Sequence, residues 1–222
     1  MINNHSMKIL AADTSHGSCS VAILNNGKII YDITDNENGK QAERLLSIIE
    51  EGLKQNSLTY KDLDALAVNI GPGSFTGIRI GVAAIRGLHL VNKTPLIAVN
   101  SLEAIAYPLI GQGKDIVVVT DAKRKQLYCQ LFSQEIEALS EACLISYDEI
   151  KNFIPKGEFY LTGTGSHLVS TGLNNFKIIN PDAMAEAKHI AKLAAIKLES
   201  DKIDDTCFPL YIRKPDAVAK QD

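Results

Sequence analysis

Two carboxylates stand where apolar runs stop. Asp13 closes the run that starts at Lys8 and is followed by Thr14-Ser15 and then Gly17-Ser18. Asp121 closes the run that starts at Ile116 and is followed by Ala122-Lys123-Arg124. A carboxylate at a strand end beside hydroxyls can meet a metal-bound phosphate, and it can equally close an Asx turn on its own backbone. Between them lies the strongest pattern in the chain, Asn69-Ile70-Gly71-Pro72-Gly73-Ser74-Phe75-Thr76-Gly77-Ile78-Arg79-Ile80-Gly81. A strand enters a glycine turn there and a helix leaves it. Glycine admits positive φ and close backbone approach, and the unpaired N–H groups of a helix start attract anions. No Gly-Lys-Ser/Thr follows, so this is not a Walker loop, and a tight strand-to-helix turn is the competing reading. Gly163-Thr164-Gly165 offers a second such turn. The candidates to face a nucleotide or phosphate are therefore Asp13, Ser15, Gly71, Gly73, Ser74, Asp121, Gly163 and Gly165.

No complete catalytic set accompanies them. Asp13, Glu43 and Asp64 invite a two-metal nuclease reading, but Asp64 starts its strand, and the far end of that strand carries Asn69 where a third carboxylate would be needed. The histidines, His5, His16, His89, His167 and His189, make no H-x-x-x-H or H-E-x-x-H spacing, so no helix carries a zinc pair. Cys19, Cys129, Cys143 and Cys207 form no C-x-x-C. They read as small buried filler of a reducing cytosol. Catalytic residues and metal ligands are expected to be absent.

The elements that must position these residues follow from periodicity. Lys8–Ala12, Cys19–Leu24 and Lys28–Ile33 read as a three-stranded meander, with Asn25-Asn26-Gly27 as the hairpin turn. Ala42, Leu45, Leu46, Ile49 and Leu53 recur at helical spacing over 41–56. Asp64–Ile70 is a strand, Ser74 or Thr76 caps a helix to about Val91, and Pro95–Val99 is a strand. Asn100 and Glu103 have capping-box spacing for a helix through Leu109. The second half opens alike: a strand from Ile116 to Thr120, a second from Gln126 to Phe132, and a third over Ala142–Ile145. A short helix near 147–153, a strand over 158–162 and a helix from about 183 to 199 follow. Two halves with the same opening suggest a duplicated α/β unit with mixed sheets flanked by helices.

On the second helix, Gly77, Gly81, Ala84 and Leu88 share one face. Each glycine inside a helix costs about 1 kcal/mol, so close packing is expected, either on the chain's own sheet or against another subunit. The candidate interface is Leu45 and Ile49 on the first helix with Gly77, Ile80, Gly81, Ala84 and Leu88 on the second.

Composition sets the class. The chain has 222 residues, 45% hydrophobic and 22% charged, with formal net charge -3 and a pI of about 6.0. That is ordinary for a protein with a real core and excludes a broadly basic face that grips nucleic acid unaided. No apolar run reaches the ~20 residues of a membrane span, and no secretory h-region opens the chain. Residues 1–6 are polar and precede Met7, so they read as a disordered or appended start.

Asp13-Thr14-Ser15, Glu43-Arg44-Leu45-Leu46, the Gly71–Gly81 stretch, Pro95–Glu103, Asp121-Ala122-Lys123-Arg124 and Tyr211-Ile212-Arg213 together resemble the TsaB (YeaZ) family. These are non-catalytic partner proteins, Gcp/M22-like in sequence, of bacterial tRNA threonylcarbamoyladenosine biosynthesis. The resemblance runs from Met7 to about Val218. It implies two ribonuclease-H-like lobes of the actin/sugar-kinase (ASKHA) superfamily, here 7–105 and 106–222. It implies a cytoplasmic protein with no membrane partner that heterodimerises with the catalytic subunit TsaD and is joined by the ATPase TsaE. tRNA would be met through that complex, and the chain alone would form a homodimer. ATP or ADP and a metal belong to the partner complex, with none assigned to this chain. At the two places where TsaD has metal-binding histidines, this chain has Ser101 and Ile105, and serine is a poor transition-metal ligand and isoleucine none. Gln41 stands where relatives commonly carry histidine. The alternatives are an ATP-dependent ASKHA-type enzyme built on Asp13, Asp121 and Gly163-Thr164-Gly165, and an M22-type metalloprotease.

Overall fold

The computed structural model describes residues 6–37, 39–169, 175–200 and 207–213. Most of the predicted start, 1–5, and the end of the resemblance, 214–218, lie outside the described residues. Ser6 is tied to the first hairpin, its hydroxyl donating to Asn25 Oδ1.

The first sheet holds β1 (Lys8–Asp13), β2 (Cys19–Asn25), β3 (Lys28–Asp35), β4 (Ala65–Gly71) and β5 (Leu96–Asn100), in the order β3-β2-β1-β4-β5. β1–β3 form the expected antiparallel meander, and β4 and β5 join parallel to β1. Asn26 and Gly27 turn the hairpin at φ 53° and 77°, the left-handed pair that an Asn-Gly type I′ turn requires. The second sheet holds β6 (Asp115–Asp121), β7 (Gln126–Phe132), β8 (Cys143–Ser146), β9 (Phe159–Thr162) and β10 (Phe176–Ile178). Its order, β8-β7-β6-β9-β10, repeats the first with the same strand directions. The chain is thus two ribonuclease-H-like lobes. β10 pairs over only three residues, too few for sequence periodicity to reveal it.

Central strands are apolar on both faces because both are covered. In β1, Leu10 and Ala12 face α1 (Gln41–Gln55) and α2 (Phe75–Asn92), while Ile9 and Ala11 face the interior between the lobes. That interior cluster joins the first sheet, α3 (Ser101–Ala106), α5 (Ala187–Glu199) and, from the second sheet, Ile116, Val118 and Phe132. Val117, Val119, Leu127 and Phe159 fill the outer face of the second sheet under α4 (Ile150–Phe153). Helix α5 comes from the second half of the sequence, yet it packs on β1, β2, β4 and β5 of the first. Ser20 Oγ accepts from Ala187 N at 3.2 Å, so a β2 hydroxyl satisfies the start of that helix.

Two expectations change at α1 and α3. The helical spacing places Ala42 and Leu46 inward, but both are exposed, and the buried face is Gln41, Leu45, Ile48, Ile49, Gly52 and Leu53. Gly52 is glycine because a Cβ would lie 2.7 Å from the Tyr31 ring. Asn100 does cap α3, accepting from Leu102 N at 2.8 Å, but the capping box is not closed. Glu103 instead pairs with Lys197 of α5 at 2.7 Å, which ties the two interlobe helices together.

Gly77 and Gly81 of α2 are explained by close packing within the chain. A Cβ on Gly77 would lie 2.0 Å from Thr14 O, and one on Gly81 would lie 2.7 Å from Thr14 Oγ1. Thr14 Oγ1 donates to Gly77 O at 2.6 Å, clamping the start of the helix onto the end of β1. Ser74 caps α2 as expected, accepting from Gly77 N at 3.2 Å. The substitution Gly77→Ala must push α2 off β1, and overpacking of this kind costs about 1–3 kcal/mol. Urea unfolding of G77A should show that loss.

Candidate functional site

The ends of β1, β4 and α3's first turn meet in one buried polar chain. Asp13, Ser15, Asn69 and Ser101 are all 2% exposed or less. Asn69 Nδ2 donates to Asp13 Oδ1 at 2.8 Å and to Ser15 Oγ at 2.9 Å. Asn69 Oδ1 accepts from Ser101 Oγ at 2.7 Å and from Gly71 N at 2.8 Å. Ser15 N donates to Asp13 Oδ1 at 2.9 Å, which is the Asx turn that the sequence allows. Ser15 Oγ lies 2.6 Å from His16 Nδ1, within hydrogen-bond distance. Asn69, which breaks the nuclease pattern, is the hub of this chain. Asp13 Oδ2 has no partner within it.

The glycine loop closes on the β1–β2 loop. Ser74 N donates to Ser15 O at 2.8 Å, and a Cβ on Gly73 would lie 2.7 Å from the same oxygen. Gly71 has φ 105°, and a Cβ there would meet Ile78 Cδ1 at 2.7 Å. The two loops are thereby held backbone to backbone. The second lobe repeats the device: Cβ atoms on Gly163 and Gly165 would lie 2.4 Å from Val119 O and 2.8 Å from Leu127 Cδ2. Gln41, the departure noted in the sequence, is also internal, donating to Gly17 O at 2.7 Å.

A cavity of about 900 Å³ opens between the lobes above these loops. Of the eight phosphate-facing candidates, Gly73, Ser74 and Asp121 line it; Asp13, Ser15, Gly71, Gly163 and Gly165 lie behind its wall. Asp121 N donates to Thr164 Oγ1 at 3.1 Å, and its carboxylate holds Lys123 Nζ at 2.8 Å and Tyr147 Oη at 3.3 Å. Partial burial pushes the Asp121 carboxyl up, but hydrogen bonds from Lys123 and the lysine charge outweigh it and leave its pKa lowered. The lining also includes Phe75, Tyr128, His167, Tyr211 and Arg213, which the sequence does not single out for a site. Their only signal is rings near basic residues.

The expected interface residues divide. Leu45, Ile49, Gly77 and Gly81 are buried in this chain's own packing and offer no surface. Ile80, Ala84 and Leu88 are half-buried. The apolar surface of α2 is instead Ala83, Gly87, Leu90 and Val91, the last two 63% and 81% exposed. Among the described residues no three His, Cys, Asp or Glu side chains gather as metal ligands. No described helix is long and apolar enough to cross a membrane. Burial pushes the Cys19 thiol up to about 12 and raises those of Cys129 and Cys143, which fits inert filler.

Two ribonuclease-H-like lobes of the same strand order, facing each other across a cleft, define an ASKHA-type fold. Residues 37–179 match the family described as "TsaD: tRNA N6-adenosine threonylcarbamoyltransferase", and the chain belongs to that family. Within it, the likeness is to the TsaB (YeaZ) branch. The chain is 28% identical over 233 residues to the Haemophilus influenzae "tRNA threonylcarbamoyladenosine biosynthesis protein TsaB", covering 93% of this chain and 94% of that one. It is 29% identical to the Escherichia coli protein of the same description, covering 72% of each. The solved structure "YeaZ from Pseudomonas aeruginosa" superposes with TM-score 0.80 at 22% identity, covering 92% of this chain and 99% of that one, and so shares the fold.

Two histidines give a pH test. Burial lowers the pKa of His16 despite the nearby Asp13 carboxylate, and burial likewise lowers that of His189. The unfolded chain therefore binds more protons than the folded one once pH falls below their ordinary 6.5. Stability should be independent of these groups above that value and decline as pH drops through it toward the folded pKa values. Urea unfolding over a pH series should show the decline, and the double variant His16→Asn, His189→Asn should flatten it.

Proposed function

We propose that this chain is a non-catalytic scaffold in tRNA threonylcarbamoyladenosine biosynthesis, acting as the heterodimeric partner of a TsaD-type catalytic subunit. That subunit would transfer the threonylcarbamoyl group to the adenosine beside the anticodon, with a TsaE-type ATPase joining the pair. ATP or ADP and the metal belong to those partners, and the complex works in the cytoplasm. The relatives' descriptions support the pathway.

The observation that carries the non-catalytic reading is the use made of Ser101 and Ile105, the places where the resemblance puts TsaD's metal-binding histidines. Ser101 is fully buried and spends its hydroxyl on Asn69, and Ile105 is a core residue between the lobes. Neither faces the cavity.

Gly87 supports partnering. It sits in the middle of α2, is exposed, and a Cβ there would touch nothing within 4 Å. Unlike Gly77 and Gly81 it has no internal reason to be glycine, though glycine costs a helix about 1 kcal/mol. A helix of another chain lying across Ala83, Gly87 and Val91 supplies the reason. The same face would join two copies when the partner is absent.

Reconstitution with an unmodified tRNA transcript, TsaD, TsaE and the threonylcarbamoyl adenylate tests the role. Modified adenosine should form efficiently only when this chain is present. Product from this chain alone, or equal product without it, refutes the scaffold reading. Gly87→Ala should stabilise the isolated chain by up to about 1 kcal/mol in urea unfolding. Gly87→Trp should keep the circular dichroism of the folded chain and lose co-purification with TsaD.

A further inference from the structure

Residues 207–213 leave the first lobe and cross the mouth of the cleft to the second. Leu210 N donates to Ile70 O at 2.7 Å, and Arg213 Nη2 donates to Gln126 Oε1 at 2.8 Å. Along this crossing, arginines lie over rings. The Arg86 guanidinium lies 5.0 Å from the Phe208 ring centre, Arg79 3.7 Å from Phe75, and Arg213 5.9 Å from Tyr128. Tyr211 stands 5.1 Å from Phe75 and accepts from Arg79 Nε at 2.7 Å.

Fastening the crossing explains these pairings but not the exposure of the rings. Phe208 remains 63% exposed, Phe75 43% and Tyr211 42%. Neighbouring apolar rings left open to water mark an interaction surface. At the far end of the row, the β6–β7 turn holds Lys123, Arg124 and Lys125 at φ 62°, 56° and 58°. Three successive left-handed residues with side chains are strained, and glycine or asparagine would relieve them. The turn keeps three exposed cations instead. Asp121 neutralises Lys123, and Asp182 is the other carboxylate lining the cavity. In a chain of net charge -3, this turn sets basic side chains beside open rings.

We infer that this row binds single-stranded RNA, with unpaired bases stacked on Phe208, Tyr211 and Phe75 and phosphates drawn to the arginines and the Lys123–Lys125 turn. Aromatic faces combined with cations are how a protein holds an unpaired strand without reading its sequence. An acidic protein segment would use the cations and leave the ring faces idle. The inference rests on the tRNA role proposed above and names which surface of this chain the RNA would meet.

The test is fluorescence anisotropy of a labelled, unmodified tRNA transcript with the full chain, alone and with TsaD, over a series of KCl concentrations. Phe208→Ala should weaken binding about tenfold, since the ring is exposed and its loss spares the core. Lys125→Glu should weaken binding and lower the salt slope by about one, because the cation removed leaves one phosphate with its own counterion. Both variants should keep the wild-type circular dichroism. The inference is overturned if both variants bind tRNA with unchanged affinity and slope, if duplex RNA binds as tightly as tRNA, or if free AMP competes as well as tRNA. It is also overturned if the variants lose TsaD but keep tRNA, which would make the row a protein-binding surface. Wild-type reconstitution separates the two claims. A chain needed for product whose variants hold tRNA normally sinks the RNA surface alone, whereas a dispensable chain whose variants lose tRNA sinks the scaffold role alone.

Discussion

Thr14 at the end of β1 cannot share its space with any side chain on Gly77. Its hydroxyl grips the Gly77 carbonyl at 2.6 Å, and its own carbonyl lies 2.0 Å from where a Cβ would stand. Helix α2 is thereby laid against the central strand at backbone distance. Gly73 closes on Ser15 in the same way, and the second lobe does the same with Gly163 against Val119. In both halves the strand end that begins the fold is sealed by glycines. The duplication is therefore one of packing device as well as of strand order.

The glycine loop and the β1–β2 loop are joined directly, Ser74 N donating to Ser15 O. The carboxylate at the strand end is folded into an Asn69-centred chain with Ser15 and Ser101, where the hydrogen bonds hold three elements in register. Buried polar chains of this kind are costly unless nearly complete and rigid when they are. The three elements are thereby held rigidly. Helix α5 adds to it, since a helix from the second half of the sequence is buried on the first sheet and tied to α3 through Lys197 and Glu103.

Helix α2 links the core to the surface. Its inner face supports the sheet, its outer face carries Gly87 and exposed aliphatics, and its flank receives the 207–213 crossing through Arg79 and Arg86. One helix thus couples the sealed floor, the outer apolar face and the mouth of the cleft.

Much of this is legible in the residues. Asn26-Gly27, the Ser74 cap, the Asn100 cap and the two-faced apolar strands each depend on local chemistry, which sequence states directly. Periodicity says that α1 and α2 each have an apolar face but not which neighbour covers it. Spacing alone therefore puts Leu45, Ile49, Gly77 and Gly81 at an interface when they belong to the chain's own core. Glu103 is drawn from its capping box by Lys197 on a distant helix, and Gln41 finds its acceptor at Gly17 across a loop. The 207–213 crossing has no period to betray it, and its meaning comes only from the helix and hairpin beneath it. Local hydrogen bonding and composition are written along the chain; which surfaces stay open is decided when distant segments compete to cover them.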